Sequence, residues 1–265
     1  MIYLDPIPEV MATGIFYDRA GGEYLSPEKL TSDYADVRFA RELRLFRTYC
    51  PRGSVLDVGC SSGGFLYQLK QRFPGDYQIL GTDVSQGPLD HAARMGVPVA
   101  RGDFLNQMFP EKFDAVTFWA VMEHLADPRL FLRQAAAILK PGGHCLILTP
   151  NMRSLAVRLL GAKYRYIFPE HLNYFTPATL RKFAGQEFTV VGTAATHFNP
   201  LVIWRDFRGG QRDISRAERS QLLQRTTRYK KSPWLFPVKL AYHTVEATLA
   251  RFSLADNIVV VTRKN

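Results

Sequence analysis

Apolar runs of strand length alternate with helical patterns between residues 54 and 150. Each run is short, is followed by glycine or polar residues, and is typical of a buried strand: SVLDVG (54–59), QILGTD (78–83), VPVARG (97–102), FDAVTFW (113–119) and HCLILTP (144–150). Apolar positions at helical spacing lie between the runs, at 64–73, 86–95 and 127–140. This alternation predicts an α/β fold in which a parallel sheet carries helices on both faces.

The pattern changes after Pro150. The segments that follow are helical at 151–167 and 177–186, strand-like at 187–198, amphipathic at 235–252 and strand-like again at 256–264. The two strand-like segments and the five earlier runs give seven strands in total. We therefore predict a doubly wound, mostly parallel seven-stranded sheet with an antiparallel edge strand and a helical, basic cap.

The loop after the first run is rich in small residues. The stretch SVLDVGCSSGGF (54–65) ends a buried strand near Asp57 and turns through Gly59, Ser61 and Gly63 into a helix. Ligands of doubly wound sheets bind at such turns, where small residues let the backbone approach. A dinucleotide loop needs G-x-G-x-x-G, and its second glycine position is Ser61 here, so that match is partial. S-adenosylmethionine (SAM) has no phosphate, and its ammonium group suits the acid Asp57.

Acids also end the next two strands. Asp83 closes GTD, where a carboxylate is able to accept hydrogen bonds from both hydroxyls of a ribose. Asp103 precedes Phe104 at the end of the third strand, where an acid and a ring suit the amino group and the face of an adenine. One acid at a strand end is commonly a helix cap or a surface residue. Three acids at successive strand ends favour a SAM site.

Several segments together resemble the class I SAM-dependent methyltransferases. They are VLDVGCSSGGF, GTDVS, RGDF, FDAVTFWAVMEHLADP, LKPGGHCLILTPN and PEHLNYFTPATL. More narrowly, the chain is similar to the bacterial small-molecule branch that includes ubiquinone-biosynthesis O-methyltransferases and enzymes that tailor glycans or natural products. The resemblance covers roughly residues 50–200 and the last strand, and it implies a Rossmann-like fold with SAM as the cofactor.

The resemblance also implies a set of cofactor contacts. The backbone at Gly59 and Ser61 would contact the methionine part of SAM. Asp83 would hold the ribose, and Asp103 with Phe104 would contact the adenine. The full set of expected cofactor-binding residues is Asp57, Gly59, Ser61, Gly63, Asp83, Val84, Asp103, Phe104, Trp119 and Ala120.

The stretch WAVMEHLADP follows the fourth strand and supplies two catalytic candidates, Glu123 and His124. An imidazole titrates near pH 7 and suits the removal of a hydroxyl proton, so His124 is a candidate base. The alternative is that both residues brace the loop. The quinone O-methyltransferases resembled here carry an acid three residues before this Glu as part of a divalent-metal site, whereas this chain has Ala120. One Glu and one His bind a hard cation poorly, so no metal is expected.

The segment PEHLNYF (169–175) concentrates polar side chains in the cap. These are Glu170, His171, Asn173 and Tyr174. His171 is a further catalytic candidate, and the other three are expected to bind the acceptor, because their donors and acceptors suit a hydroxylated molecule. The alternative is a capping turn before a helix that begins near Pro177.

The chain is strongly basic: 34 basic against 24 acidic residues give a net charge of +10. Residues 205–231 alone hold nine basic and three acidic residues, and the segment 151–167 adds Arg153, Arg158, Lys163 and Arg165. Three interpretations stay open for this surplus: a solvated surface, contact with an anionic membrane or a phosphate-bearing acceptor, and nucleic acid. Nucleic acid is disfavoured, because amino-methylating nucleic-acid enzymes carry an Asn/Asp-Pro-Pro-aromatic turn where this chain has FWAV.

The cysteines and the amino terminus bear on location. Cys50, Cys60 and Cys145 are scattered and lack metal-ligand spacing, which is typical of a reducing compartment. The stretch MIYLDPIPEVMATG has no basic region followed by an apolar run, so no secretion signal is expected. No run approaches the ~18 apolar residues of a membrane span. We expect a cytoplasmic protein, with peripheral contact at the inner membrane face as an option.

A length of 265 residues fits one α/β domain with an added cap. The expected parts are a leader and helix over the cofactor site (1–49), a SAM-binding core (50–200) with cap elements at 151–186, a basic helical insertion (201–255) and a final core strand (256–265). We interpret the insertion as a lid threaded through the end of the same domain.

These features predict SAM-dependent methyl transfer, at oxygen, to a small-molecule or a lipid- or glycan-linked acceptor. Two alternatives come from other classes: a non-catalytic SAM-binding scaffold whose basic cap docks on membranes or nucleic acid, and an NAD(P)-dependent oxidoreductase. The oxidoreductase is disfavoured by Ser61 in the glycine-rich loop and by the lack of a suitably placed Tyr-x-x-x-Lys pair.

Overall fold

The computed structural model describes residues 2–4, 6–7, 9, 25–164, 167, 170–209 and 236–265. Its strands are β1 (Ile2–Tyr3), β2 (Gly53–Val58), β3 (Tyr77–Asp83), β4 (Val99–Arg101), β5 (Phe113–Trp119), β6 (Leu139–Pro150), β7 (Asn173–Tyr174), β8 (Thr189–Thr196) and β9 (Asn257–Arg263). Its α-helices are α1 (Pro27–Asp33), α2 (Ala40–Tyr49), α3 (Gly64–Arg72), α4 (Gln86–Arg94), α5 (Pro128–Ile138), α6 (Leu155–Leu160), α7 (Pro177–Ala184), α8 (Pro200–Gly209) and α9 (Phe236–Arg251). None of these described helices is long and apolar enough to cross a membrane.

Seven strands form one mixed sheet in the order β4-β3-β2-β5-β6-β9-β8. The five strands from β4 to β6 pair in parallel, while β9 runs antiparallel to both β6 and the edge strand β8. The predicted Rossmann-like, doubly wound architecture is confirmed. The chain leaves β2 toward β3 on one side and later continues through β5 on the other. The strand order therefore reverses at β2, and ligands of such sheets bind at this point.

The central strands are buried because helices cover both faces of the sheet. Four consecutive residues of β2, Val55–Val58, are buried, and the four from Ile258–Val261 in β9 are fully buried. Phe118 and Leu132 belong to the core on one face, and Phe46 belongs to the core on the other. Complete burial of one such side chain contributes about 1.5–3 kcal/mol, which explains why the predicted strand runs are continuous apolar segments.

Apolar positions at helical spacing run through residues 26–49 of the sequence, where they predict helical structure, and the structure forms two helices there instead of one. Helix α1 ends at Asp33 and α2 begins at Ala40. The residue after the break is tied to the loop that follows β2: the Tyr34 hydroxyl donates to the Ser62 carbonyl oxygen, and the Tyr34 carbonyl accepts from the Gln68 side-chain amide at 2.8 Å. Tertiary contacts therefore interrupt a helix that local spacing alone predicts to be continuous.

In the segment predicted to be helical at 151–167, the described residues form an α-helix only in α6. Asn151 lies before that helix, and its side-chain amide donates to the carbonyls of Ser253 and Ala255 at 2.9 and 2.8 Å. These bonds attach the start of the cap to the chain that leads into β9. Parts of the predicted basic segments lie outside the described residues, namely Arg165 and residues 210–231.

A two-stranded sheet was not predicted. Strand β1 pairs antiparallel with β7, with Ile2 opposite Tyr174, and the Leu4 amide donates to the Leu172 carbonyl at 2.9 Å. Strands of two residues are shorter than any run that a periodic pattern is able to reveal. The pairing places these N-terminal residues beside the polar segment 169–175.

Candidate active site

The first loop, residues 59–63, bends sharply where β2 ends. Gly59, Ser61 and Gly63 have φ values of +71°, +49° and +77°, in the left-handed region. A side chain at Gly59 would place its Cβ 2.6 Å from a methyl group of Val121, so both the backbone and the space require glycine. The first loop is thus folded closely against the turn that follows β5.

Asp83 joins the first loop to the end of β3. One of its carboxylate oxygens accepts from the Ser61 amide at 2.8 Å and the other accepts from the Ser85 amide at 2.9 Å. Burial raises the pKa of Asp83, although these amides favour its ionised form. Val84 follows at the same strand end, where its carbonyl accepts from the Arg101 guanidinium at 3.4 Å. A carboxylate has about four lone-pair positions, so the Asp83 carboxylate retains capacity for ribose hydroxyls.

Asp57 is buried beneath the first loop. Its side chain accepts a hydrogen bond from the Thr117 hydroxyl at 2.7 Å. Burial, assisted by the negative charge of nearby Asp83, raises the pKa of Asp57 to about 7, although the Thr117 hydrogen bond favours its ionised form. A bound cation would favour the ionised form of both acids. Asp57 thus suits the ammonium end of SAM and Asp83 suits its ribose, whereas two neighbouring acids do not fit a pyrophosphate.

Asp103 and Phe104 have partners within the protein. Asp103 caps a short 3-10 turn: its carboxylate accepts from the Leu105 amide at 3.1 Å and from the Asn106 side chain at 2.7 Å. Phe104 is buried, and its ring centroid lies 5.5 Å from that of Phe131. These contacts give the two residues structural roles, and their contact with an adenine stays a prediction.

The turn after β5 is strained and follows a half-buried indole. Ala120 has a φ of +58°, which is rare for a residue with a side chain, and strain of this kind is concentrated at functional sites. The Trp119 ring packs 4.9 Å from the Phe65 ring. Because Val121 of this turn also contacts the Gly59 position, the turn and the first loop form one continuous surface.

Buried polar atoms without a hydrogen-bond partner are concentrated at this edge of the sheet. Within the described part of the chain they include Ser61 Oγ, Trp119 Nε1, both carboxylate oxygens of Glu123, and Thr149 Oγ1. Leaving one such group unsatisfied costs about 1–3 kcal/mol. A polar ligand would supply the missing partners, so this edge is the candidate active site.

Glu123, His124 and His171 form a compact cluster beside that turn. Glu123 and His124 lie on a 3-10 turn after β5, and His171 comes from the cap. One oxygen or nitrogen atom of each residue lies within 4.8 Å of the corresponding atoms of the other two, and the imidazole centroids are 4.7 Å apart. Burial raises the pKa of Glu123 to about 8 and lowers the pKa of His124.

Hydrogen bonds between the turn and the cap hold this cluster in place. His124 Nδ1 donates to the Glu170 carbonyl oxygen at 2.9 Å, since a carbonyl only accepts. The Leu172 amide donates to the Glu123 carbonyl at 2.7 Å. A neutral imidazole that donates from Nδ1 carries its lone pair on Nε2. The two predicted roles of His124, brace and base, are therefore compatible.

Asn173 has a bracing role in the structure. Its side-chain amide donates to the backbone carbonyls of Leu125 at 2.7 Å and Met122 at 3.3 Å. Its predicted contact with an acceptor stays a prediction, and so do the acceptor contacts of Glu170 and Tyr174.

The predicted capping turn is present just after this segment. The Thr176 hydroxyl accepts from the Thr179 amide at 3.2 Å, and the Thr179 hydroxyl accepts from the Thr176 amide at 2.8 Å. This reciprocal arrangement begins α7 and is a capping box. The segment therefore combines a structural function at its end with the site cluster at His171.

Sequence reasoning missed a buried ion pair. The Glu42 carboxylate on α2 pairs with His197, which follows β8. Burial alone would raise the pKa of Glu42, but the pair with His197 outweighs it and lowers the pKa to about 2. The available signal was the acid on the buried side of an amphipathic helix, beside Leu43 and Phe46.

Comparison with known proteins identifies the family. The sequence profile of the methyltransferase domain matches residues 33–191 of this chain. The ubiquinone biosynthesis O-methyltransferase of Caulobacter vibrioides is 33% identical over 164 residues, which are 56% of this chain and 64% of that protein. The enzyme of the same description from Vibrio parahaemolyticus is 31% identical over 166 residues, 56% of this chain and 68% of that protein. The match thus spans about two thirds of the length of these relatives.

Solved structures with low sequence identity share the fold. A possible histamine N-methyltransferase from Thermotoga maritima aligns with a TM-score of 0.60 at 17% identity, covering 96% of this chain and 100% of that chain. The N-methyltransferase NodS from Bradyrhizobium japonicum, solved with S-adenosylhomocysteine, aligns with a TM-score of 0.56 at 16% identity, covering 94% and 97%. With its fold, its strand-end acids and the profile match, the chain belongs to the methyltransferase domain family, in the class I SAM-dependent group.

Proposed function

We propose that this protein transfers a methyl group from SAM to an oxygen atom of a small-molecule acceptor. This proposal rests on one observation: a cofactor-type loop and a polar cluster lie next to each other at one edge of the sheet. The first loop lies above the buried Asp57 and the half-buried Asp83, and the Glu123–His124–His171 cluster lies beside the turn that contacts this loop. The names of the relatives, which are O-methyltransferases of ubiquinone biosynthesis, support oxygen as the methylated atom.

The residues at the first loop fit SAM. Asp57 would stabilise its positive charge, Asp83 would accept hydrogen bonds from its ribose hydroxyls, and the left-handed backbone at Ser61 brings main-chain groups to the ligand. The unsatisfied indole N–H of Trp119 and hydroxyl of Ser61 are available to bond it. When bound, SAM supplies an electrophilic methyl group on a positively charged sulfur.

The Glu123–His124–His171 cluster would act on the acceptor. The acceptor oxygen attacks the methyl carbon as the carbon–sulfur bond breaks, so the hydroxyl proton must leave. His124 is the candidate to receive this proton, because a neutral imidazole with its proton on Nδ1 presents a lone pair on Nε2. Transfer from a sulfonium otherwise requires alignment and exclusion of water, which the cap over the sheet edge would provide.

The lipid-linked acceptor and the membrane contact draw support from the cap surface. On α8, Trp204 and Phe207 are 56% and 73% exposed, and the Arg208 guanidinium lies 4.4 Å above the Trp204 ring. Exposed aromatic rings next to basic side chains are typical of helices that lie at a membrane surface. The basic surplus of residues 205–231 favours an anionic surface in particular.

Calorimetry followed by a transfer assay tests the proposal. The protein is expected to bind SAM and S-adenosylhomocysteine but not NAD, and to move a labelled methyl group from SAM to phenols or catechols. Binding of NAD without SAM would overturn the cofactor assignment. Binding of SAM with no transfer to phenols, alcohols or amines would identify a scaffold instead of an enzyme.

A further inference from the structure

A second group of buried polar atoms lies beneath α2. Glu42 is 3% exposed, and one of its carboxylate oxygens pairs with His197, whereas the other, Oε2, has no hydrogen-bond partner within the described residues. Thr196, the last residue of β8, is 8% exposed, and among the described residues its hydroxyl has no partner either. Buried polar groups are normally hydrogen-bonded, so these two atoms indicate a ligand that is able to bond both.

Glu42 and Thr196 lie on the same face of the sheet. Ala195 belongs to the core on one face, so the next residue of β8, Thr196, points to the opposite face. That opposite face is covered by α2, whose Leu43 belongs to the core there. The pair between Glu42 and His197, the residue after Thr196, brings the carboxylate to the end of β8. The two unpartnered atoms are therefore neighbours in the fold.

The turn after β8 is strained and is fixed by hydrogen bonds. His197 has a φ of +64°, which is rare for a residue with a side chain. Its carbonyl accepts from the Asp256 amide at 2.8 Å, and the Asp256 carboxylate accepts from the Asn199 amide at 3.1 Å. Strain of this kind is concentrated at functional sites. The turn thus holds the imidazole against one oxygen of Glu42 and leaves Oε2 for a ligand.

A row of aromatic rings connects Glu42 with the turn after β5. Phe39 lies three residues before Glu42, and its ring centroid is 5.9 Å from that of Phe65. The Phe65 ring in turn lies 4.9 Å from the Trp119 ring at the end of β5. The strand order β5-β6-β9-β8, with a spacing of ~4.8 Å between strands, puts the end of β8 roughly 14 Å from the end of β5. An extended acceptor is long enough to reach both ends.

The group that Glu42 lacks is a hydrogen-bond donor and not a counter-charge. Burial would raise the pKa of Glu42, but the pair with His197 and the charge of Arg38 lower it to about 2, so the carboxylate is ionised at neutral pH. Its charge is thus already balanced, and Oε2 needs only a donor. The Thr196 hydroxyl both donates and accepts. A ligand hydroxyl also does both, so it suits these two atoms better than an ammonium group, which only donates.

We propose that Glu42, Thr196 and His197 form a second acceptor subsite, which binds a hydroxyl-rich group such as a sugar ring. This inference rests on the proposed function, because it places the reacting hydroxyl of the same acceptor at the Glu123–His124–His171 cluster. Glu42 and Thr196 contact the distant group, and His197 positions Glu42. The roughly 14 Å between the strand ends excludes a single aromatic ring as the whole acceptor. The substrate class is therefore a phenol or alcohol linked to a sugar or another polyol.

Calorimetry on the protein saturated with S-adenosylhomocysteine tests the subsite with three probes that share one catechol. The catechol is joined by the same linker to glucose, to cyclohexane or to cyclohexylammonium. The glucose probe should bind at least about tenfold more tightly than the cyclohexane probe, which is the gain expected from a hydrogen bond to a charged group. It should also bind more tightly than the ammonium probe.

The Thr196→Val substitution keeps the shape of the side chain and removes its hydroxyl. It should lower affinity for the glucose probe by about 2–10-fold, and it should raise the melting temperature of the ligand-free protein, because a buried unpartnered polar atom is removed. The Glu42→Gln substitution should lower affinity for the same probe by about tenfold or more. Thr193→Val is the matched control on the same strand. It removes an exposed hydroxyl that accepts from Arg181, and should leave probe affinity unchanged.

The outcomes separate this inference from the proposed function. Equal affinity of the wild-type protein for the glucose and cyclohexane probes overturns the subsite and leaves methyl transfer intact. Tightest binding of the ammonium probe overturns the hydroxyl assignment, and unchanged glucose-probe affinity in a folded Thr196→Val protein overturns the residue assignment. If the protein binds no SAM, the same titration is made without cofactor, and a preference for glucose there keeps the subsite and overturns the methyltransferase proposal. Thr196→Val reports even where Glu42→Gln fails to fold, because it breaks no hydrogen bond of the described residues.

Discussion

Asp83 performs two tasks with one carboxylate. It fixes the first loop through the Ser61 amide, and it is placed at the strand end where a ribose is expected. The Asp83→Ala substitution should weaken SAM binding by about 1–3 kcal/mol, the usual contribution of hydrogen bonds to a charged group. Calorimetry measures this directly, with Asp90→Ala on the exposed side of α4 as the control. Unchanged SAM affinity in a folded Asp83→Ala protein would remove the ribose assignment.

Asp57 should make SAM binding depend on pH. Its pKa of about 7 in the ligand-free protein is raised by burial, so its contribution to stability is present below the unfolded value and is lost as pH rises through 7. A cationic ligand favours the ionised form, so SAM affinity should rise by up to about tenfold between pH 6 and pH 8. The Asp57→Asn protein is the control, because it shows how much of the pH dependence comes from the titration of SAM itself. The same pH dependence in both proteins would contradict the prediction.

His124 should matter for turnover and not for the cofactor. The His124→Ala substitution is expected to lower turnover by about 10²–10⁴-fold while SAM affinity stays nearly intact. If His124 is the direct base, His171→Ala should have the smaller effect. Equal losses in the two variants would mean that the neighbouring imidazoles act together, and full activity in both would show that the acceptor ionises without help from either imidazole.

At the scale of elements, the turn after β5 and the cap act as one unit. The Asn173 side chain joins them through the Leu125 and Met122 carbonyls. The Asn173→Ala substitution should lower the free energy of unfolding by about 1–3 kcal/mol and reduce turnover, with SAM affinity unchanged. Thr179→Ala is a matched control, because it removes a helix cap of similar energy without touching the turn. Equal turnover losses in both variants would mean that stability alone explains the effect.

The elements that the sequence predicted are those whose signal is local. Strand β5 was predicted residue for residue at 113–119, since a strand buried on both faces is a continuous apolar run. Helix α5 began as expected, with Asp127 accepting from the Arg129 amide and Pro128 in the first turn. The break after α1 was not predicted, because its cause is a contact between Tyr34 and Ser62, which are 28 residues apart.

In the candidate site, too, the residues with a local sequence signal were predicted and those placed by tertiary contacts were not. Strand-end acids such as Asp57 and Asp83 were found because a strand fixes where its last residues point. The proximity of His171 to His124 was not predicted. It depends on a hydrogen bond from His124 to the carbonyl of Glu170, which lies 46 residues further along the chain. Their shared location became apparent only from the tertiary fold.

At the scale of the whole molecule, the positions of the charged residues say more about binding partners than the net charge does. The acids Asp57, Glu123 and Asp83 are gathered at the sheet edge, whereas the chain as a whole carries +10. The Arg208 guanidinium lies over the exposed Trp204 ring of α8, and the sequence beyond this helix contains further basic residues. An anionic surface would therefore be attracted to the cap, while the acids beneath it remain available for the cationic cofactor.

Sedimentation with lipid vesicles tests this picture of the cap. The protein should pellet with acidic vesicles at low salt and be released as salt rises past physiological strength, where the screening length is ~8 Å. Each Lys or Arg near such a surface contributes about 1 kcal/mol, so neutralising Arg225, Arg228, Lys230 and Lys231, which lie outside the described residues, should release it. Phe207→Ser should weaken pelleting as well, because it removes an apolar ring that is 73% exposed.

The control for this experiment is Phe252→Ser, which removes a ring of similar exposure, 62%, next to the end of α9. It should leave vesicle binding unchanged if the contact is specific to α8 and the segment after it. None of the three variants should alter SAM affinity, because each lies more than 100 residues from the first loop in sequence. Equal, negligible pelleting on acidic and neutral vesicles would instead mean that the basic residues form a solvated surface, and a soluble acceptor would then be the better substrate class to test.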